Sequence, residues 1–263
     1  MLTDKDSSSS KFTLFKNRRG SIRDPRIIYQ ESSHSTKRFI ALFEVILCSG
    51  FPTQLLLVQV MTAIGLQPFE TDGSLAMNYV VVLSLADAVV LVMLILWLLA
   101  LHGESPRNLF LGSRRIVQEF KFSILLIPLV LFLVVAASAS LQHFAPWLHN
   151  VPENPYESLI QTTSDASIFA LVAIIAGGVR EEIQRAFILC RFERYLGGRA
   201  TGVILFSLVF GAAHLIQGWD AAIITALLGA LWSIVYLKRR SIIAPIVSHA
   251  SFNVIQIIHH LIS

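Results

Sequence analysis

Three short stretches of the chain hold the side chains able to do chemistry. Gly177-Gly178-Val179-Arg180-Glu181-Glu182-Ile183-Gln184-Arg185 sets two adjacent carboxylates and two guanidinium groups inside an otherwise apolar run. Phe210-Gly211-Ala212-Ala213-His214 ends a second run in an imidazole, and a third carries His249 and Asn253 at i,i+4. Acids and histidines in a water-poor setting suit proton transfer from water. An imidazole with a carboxamide suits donation to a developing negative charge.

Helical spacing limits how these groups combine. Neighbouring helical residues point about 100° apart, so Glu181 and Glu182 are not expected to face one site together. Arg185 lies at i+4 from Glu181 and i+3 from Glu182, within reach of either. His249 and Asn253 share a helix face. Each stretch alone has a plainer reading: a structural salt-bridge cluster for the first, a buried hydrogen-bonded histidine for the second, an ambiguous polar pair for the third. The Gly177-Gly178 pair would let a neighbouring helix approach closely.

The elements that must carry these groups follow from composition. Of 263 residues, 54% are hydrophobic and 14% charged, where a soluble protein has roughly 25% charged. Mean hydropathy is +0.66. A soluble globule cannot hide that much apolar surface, and in lipid the backbone must satisfy its own hydrogen bonds. The expected fold is therefore all-α, a polytopic transmembrane helical bundle. Disorder, coiled coil and DNA-binding modules are excluded as descriptions of the whole. The net charge of +4 and pI near 9.3 would suggest nucleic acid in a soluble protein, but here the bases flank apolar runs, a topology signal. No nucleic-acid partner is expected. Cys48 and Cys190 both lie in apolar runs and imply no disulfide framework or Cys-rich metal site. There is no internal repeat, GxGxxG, Walker A or HExxH.

Residues 1–37 are Ser-rich and polar and read as a disordered cytoplasmic tail, without the apolar core of a signal peptide. The transmembrane domain spans 38–263. A hydrocarbon core of about 30 Å needs about 20 helical residues, and seven runs qualify: 39–64 (interrupted by Pro52), 77–101, 120–145, 165–196, 199–217, 219–237 and 241–262. Bases alternate with their absence along the connections. Arg107, Arg114, Arg115 and Lys121 mark the second, Arg191, Arg194 and Arg199 the fourth, and Lys238-Arg239-Arg240 the sixth. The first, third and fifth carry only acids. That pattern supports an integral multi-pass protein with its N-terminus cytoplasmic, in the inner membrane if the source is bacterial. Part of 104–121 reads as an interfacial amphipathic segment.

Polar groups inside spans cost a few kcal/mol unless paired or facing a cavity. Glu44 and Asp87 are single acids in the first two spans, each expected to pair with a polar group across a helix interface. At 1.5 Å per residue from the cytoplasmic ends, Glu181 lies roughly 20 Å deep, His214 about 23 Å, His249 about 12 Å and Asn253 about 18 Å. The reactive groups thus fall in one membrane layer. His259 and His260 read as interfacial.

The glutamate pair with a nearby Arg, the Phe210 to His214 pattern and the His249 to Asn253 pattern together resemble the three motifs of the CAAX protease and bacteriocin-processing (CPBP or Abi) family of intramembrane proteases, which includes the type II prenyl-protein endopeptidases. The resemblance covers about 165–260. The first motif departs from the family's E-E-x-x-x-R: Arg185 comes one residue early, Ala186 holds its usual place, and helical spacing turns Arg185 toward the first glutamate. The resemblance implies that Glu181 and His214 activate a water for attack on a peptide carbonyl while His249 and Asn253 stabilise the oxyanion, with Glu182 and Arg185 completing the site.

On this reading the substrate is a membrane-associated or lipidated peptide or protein, entering from the membrane or the cytoplasmic side, and membrane lipid is a partner. No cofactor is expected. An alternative within the same fold is a zinc site of Glu181, His214 and His249 with water in the fourth position, against which stand the absence of a short ligand pair and the presence of Asn253. A non-catalytic alternative is a transporter using Glu181, Asp87 and His214 as a proton or ion path, or an immunity or scaffold protein. The lack of a repeat argues against transport.

Overall fold

Every apolar run folds as helix, because a backbone in hydrocarbon has no other local way to satisfy its polar groups. The computed structural model describes Tyr29 and residues 33–262. Most of the expected tail, residues 1–28 and 30–32, lies outside the described residues. The helical part already begins at His34, capped by Ser33 accepting from Thr36 N–H, so 34–37 belong to the bundle.

In chain order the helices are α1 His34–Leu47, α2 Phe51–Ala63, α3 Met77–His102, α4 Pro106–Phe110, α5 Ile116–Phe144, α6 Thr163–Val172, a π-helix Ala173–Arg180, α7 Glu181–Tyr195, α8 Gly198–Ala212, α9 Trp219–Arg239 and α10 Ile243–Ile262. Among the described residues there is no sheet; one isolated antiparallel bridge joins Phe69 and Leu75.

Three helices, α3, α5 and α9, are long and apolar enough to cross a membrane alone, and α1 with α2 makes a fourth span if the pair, bent by 42°, is one. The other three expected runs are the π-helix with its flanking helices, the 15-residue α8, and α10. In the first and last of these the reactive groups dilute the apolar character, whereas α8 is apolar but short. The first and last bury Glu182, Gln184, Arg185, Ser248 and His249, while the outer surface of α5 is apolar: Leu125, Phe132 and Val135 are 72%, 70% and 68% exposed.

The bend between α1 and α2 has a local cause. Pro52 lacks the N–H that a continuous helix would aim at the Cys48 carbonyl, and Gln184 Nε2 of α7 donates to that oxygen instead at 2.8 Å. Gly50 sits there at φ +92°, where a Cβ would fall 2.7 Å from an Arg180 guanidinium nitrogen. The bend thus packs directly on the helix carrying the first motif.

Charged connections collect at the bundle's ends. The basic ones meet: Arg114 donates to the Arg239 carbonyl at 3.1 Å, Arg239 pairs with Glu119, Arg240 with Glu193, and Arg194 with Glu104. At the opposite end His149 bonds Asp220 at 2.7 Å and Asn150 accepts from Trp219 N–H at 2.9 Å. The segment expected to lie in the interface is partly docked on the protein. Phe110 is buried, its carbonyl accepts from Ile242 N–H, and Leu109 accepts from Tyr236.

Candidate active site

The core centres on α7, which buries Glu182, Gln184, Arg185 and Arg191 along with Ala186, Phe187 and Leu189. The run leading into it starts at a capping box between Thr162 and Asp165 and then widens into the π-helix, a form frequent at functional sites. Glu181 is the first residue after it. Within the π-helix the glycine pair makes the close approach expected of it. A Cβ on Gly177 would stand 2.5 Å from Asn253 Nδ2, and one on Gly178 would stand 2.8 Å from Ala250 Cβ.

The two glutamates sit in different surroundings. Glu182 is 1% exposed, accepts from His249 Nδ1 at 2.9 Å and forms an ion pair with Arg185. Glu181 is only partly buried, and its Oε2 lies 3.8 Å from His249 Nε2. Both therefore meet one residue, contrary to the sequence expectation. The imidazole reconciles this with the 100° divergence, since its two nitrogens point apart and each takes one carboxylate.

Arg185 also differs from its expected place. It pairs with Glu182, not Glu181, because three aromatic rings on α8 and α9 hold the guanidinium on that side. Its guanidinium carbon lies 5.1 Å from the Phe206 centroid, 5.0 Å from Phe210 and 5.5 Å from Trp232. With no exposed surface, the charge is balanced by one carboxylate and by ring faces.

Phe210, the first residue of the second motif, is a shared wall. Its ring lies 5.2 Å from His214, 6.3 Å from His249 in an edge-on arrangement, and 5.7 Å from Phe206. His214 directs Nδ1 to the Phe210 carbonyl at 2.9 Å. A carbonyl only accepts, so Nδ1 carries a proton, and in the neutral ring Nε2 is then the acceptor. Asn253 is half-buried, with Nδ2 3.4 Å from the Ala173 carbonyl of the π-helix.

Sequence reasoning missed Trp232 and Tyr156. Trp232 stacks on His249 at 3.9 Å with an interplanar angle of 19°. Nothing in its sequence neighbourhood separates it from a packing residue. Tyr156 comes from the connection before α6, packs against Phe169, and has its phenol raised above the ordinary value by burial and then by the Glu181 carboxylate. The site therefore lies toward the end of the bundle away from the basic connections.

The acids outside the site are paired as expected. Asp87 meets Arg180 and accepts from Thr53 at 2.5 Å, while Glu44 takes Arg191 and His102, each at 2.5 Å. Both cysteines are free and buried. For the zinc alternative, no three His, Cys, Asp or Glu side chains are grouped to hold a metal ion among the described residues.

With this geometry in view, comparison with known families is informative. Residues 163–255 match the family described as type II CAAX prenyl endopeptidase, Rce1-like. The matched segment runs from α6 through most of α10 and contains all three motifs, which supports the CAAX protease resemblance over this part of the chain. Comparison with curated proteins and with solved structures gave no match. The family match and the apolar helices together support a membrane protein.

Proposed function

We propose that the protein is an intramembrane endopeptidase that hydrolyses a peptide bond of a membrane-associated or lipidated substrate, with Glu181 as the base that activates water. One observation carries this reading: of two adjacent glutamates, Glu182 is sealed and neutralised by Arg185 and His249, while Glu181 keeps an open side toward His249 Nε2.

Each neighbouring group has a role that its hydrogen bonds allow. His214, its Nδ1 committed to Phe210, offers Nε2 to accept from the water and help hold it. Glu181 takes the proton as the water oxygen attacks the carbonyl, and returns it to the amide nitrogen as the C–N bond breaks and the amine leaves. His249, giving Nδ1–H to Glu182, presents Nε2 to the reacting atoms, and as imidazolium it donates there to the oxyanion. Asn253, one turn further along α10, supplies the second donor through Nδ2. Glu182 and Arg185 act on His249, holding its ring and balancing its charge. The pairing of Asp87 with Arg180 speaks against a proton path through Glu181, Asp87 and His214.

The alternation of basic connections supports seven crossings with a cytoplasmic N-terminus. To test the function, purified wild type, His214→Ala and Asn253→Ala would be incubated with C-terminally prenylated peptides and leader-type peptides, and products read by mass spectrometry. Cleavage by wild type at one bond, lost in both folded variants, is expected. Equal cleavage by all three would refute the assignment.

A further inference from the structure

The bond from Glu182 to His249 Nδ1 fixes one atom of the imidazole, but a ring held at one atom can still swivel about it. The plane is set elsewhere. Trp232 of α9, 1% exposed, lies against the His249 ring at 3.9 Å and 19° from parallel. The indole is itself anchored: Nε1–H donates to Ser248 Oγ at 3.0 Å, and that hydroxyl donates to the Ala244 carbonyl at 2.9 Å. Ser248 immediately precedes His249, so the anchor and the stacked ring move together. Phe210 stands edge-on at 6.3 Å and limits rotation on another side.

We propose that Trp232 is a positioning residue of the site: its stack on His249, pinned through Ser248, sets the ring plane that aims Nε2 at Glu181. A leucine would fill much of the same space but could neither stack on the imidazole nor hold Ser248. This inference rests on the role given to His249 above. It adds that α9, which carries no motif residue, controls the geometry of the reaction.

The test uses the full chain in detergent with Trp232→Phe, Trp232→Leu and Ser248→Ala, each checked for folding by thermal unfolding. Histidine ¹⁵N signals, with His249 assigned through His249→Asn, report the imidazole independently of activity. The expected result is a single set of His249 ring signals with Nδ1 protonated in wild type, mildly broadened or shifted in Trp232→Phe and Ser248→Ala, which keep a stacked ring but lose the pin, and strongly so in Trp232→Leu. On a cleaved peptide, kcat of Trp232→Leu should fall about 10- to 100-fold with KM within about twofold, and Trp232→Phe should recover most of it. Should Trp232→Leu not fold, Ser248→Ala decides by the same signal. An unchanged His249 signal in the folded variants, or equal losses for Phe and Leu, would overturn the proposal. If wild type cleaves nothing, the proteolytic reading fails while the His249 signal still decides the role of Trp232.

Discussion

Glu182 accepts from His249 Nδ1 at 2.9 Å across the interface of α7 and α10, and Glu181, one residue earlier, lies 3.8 Å from the same ring's Nε2. Two carboxylates that diverge along a helix are thus joined through a side chain whose own polar atoms diverge. One is buried with Arg185 and the other stays partly open. On the proposed function, that difference separates a holding acid from a reacting one.

The Glu182 to Arg185 pair lies wholly within the core, so removing one partner strands the other. Glu182→Ala is expected to destabilise by about 3–5 kcal/mol, whereas Glu182→Leu combined with Arg185→Met should recover much of that stability without recovering cleavage. Thermal unfolding in detergent measures the first effect and a peptide assay the second. A stable, active Glu182→Ala would show that the pair is incidental.

Gly177→Ala should act on the site more than on the fold. Its new Cβ would meet Asn253 Nδ2 at 2.5 Å, a side-chain end that can move aside at the cost of its position. Gly178→Ala meets Ala250 Cβ at 2.8 Å and separates two helices, at an overpacking cost of about 1–3 kcal/mol. Cleavage rate should fall most sharply relative to stability in Gly177→Ala; the reverse order would contradict the placement of Asn253.

Gln184→Leu removes the donor that replaces the N–H missing at Pro52, leaving the Cys48 carbonyl buried and unpaired. A loss of about 1–3 kcal/mol is expected. Hydrogen exchange should show it first at the α1 to α2 bend. A uniform loss of protection would mean that the bend is held otherwise.

Tyr156 reports on Glu181 from outside the spans. Burial and the Glu181 carboxylate raise its phenol, so the folded protein keeps a proton that the unfolded chain releases. The stability this contributes is full below about pH 10 and is lost as pH rises beyond it. In an absorbance titration, Tyr156→Phe should remove one late-titrating phenol, and Glu181→Gln should bring that phenol part of the way down. No change in Glu181→Gln would place the two groups out of electrostatic reach.

The all-α bundle was legible because apolar runs in lipid have one backbone solution, and the bend was legible at Pro52. The close approach at the glycine pair and the pairing of Asp87 and Glu44 followed from residue type; the meeting of Glu182 with His249 did not, because the divergence of the two glutamates by about 100° hides a partner whose two nitrogens also diverge. The side taken by Arg185 was not, because helical spacing allowed both glutamates and the choice was made by Phe206, Phe210 and Trp232 from other helices. The π-helix also lay hidden, since its extra residue per turn leaves no mark in an apolar run. Trp232 and Tyr156 belong to the site by tertiary contact alone.

Single-turnover cleavage of a C-terminally prenylated peptide by Glu181→Gln and by wild type, each with and without chelator, bears on the role of Glu181 itself. Glutamine keeps the shape and removes the base. The expected result is a folded Glu181→Gln protein that binds the peptide as wild type does but cleaves it at least about 100-fold more slowly, with wild type indifferent to chelator. A Glu181→Gln protein that cleaves at the wild-type rate, or a wild type silenced by chelator and restored by zinc, would contradict it.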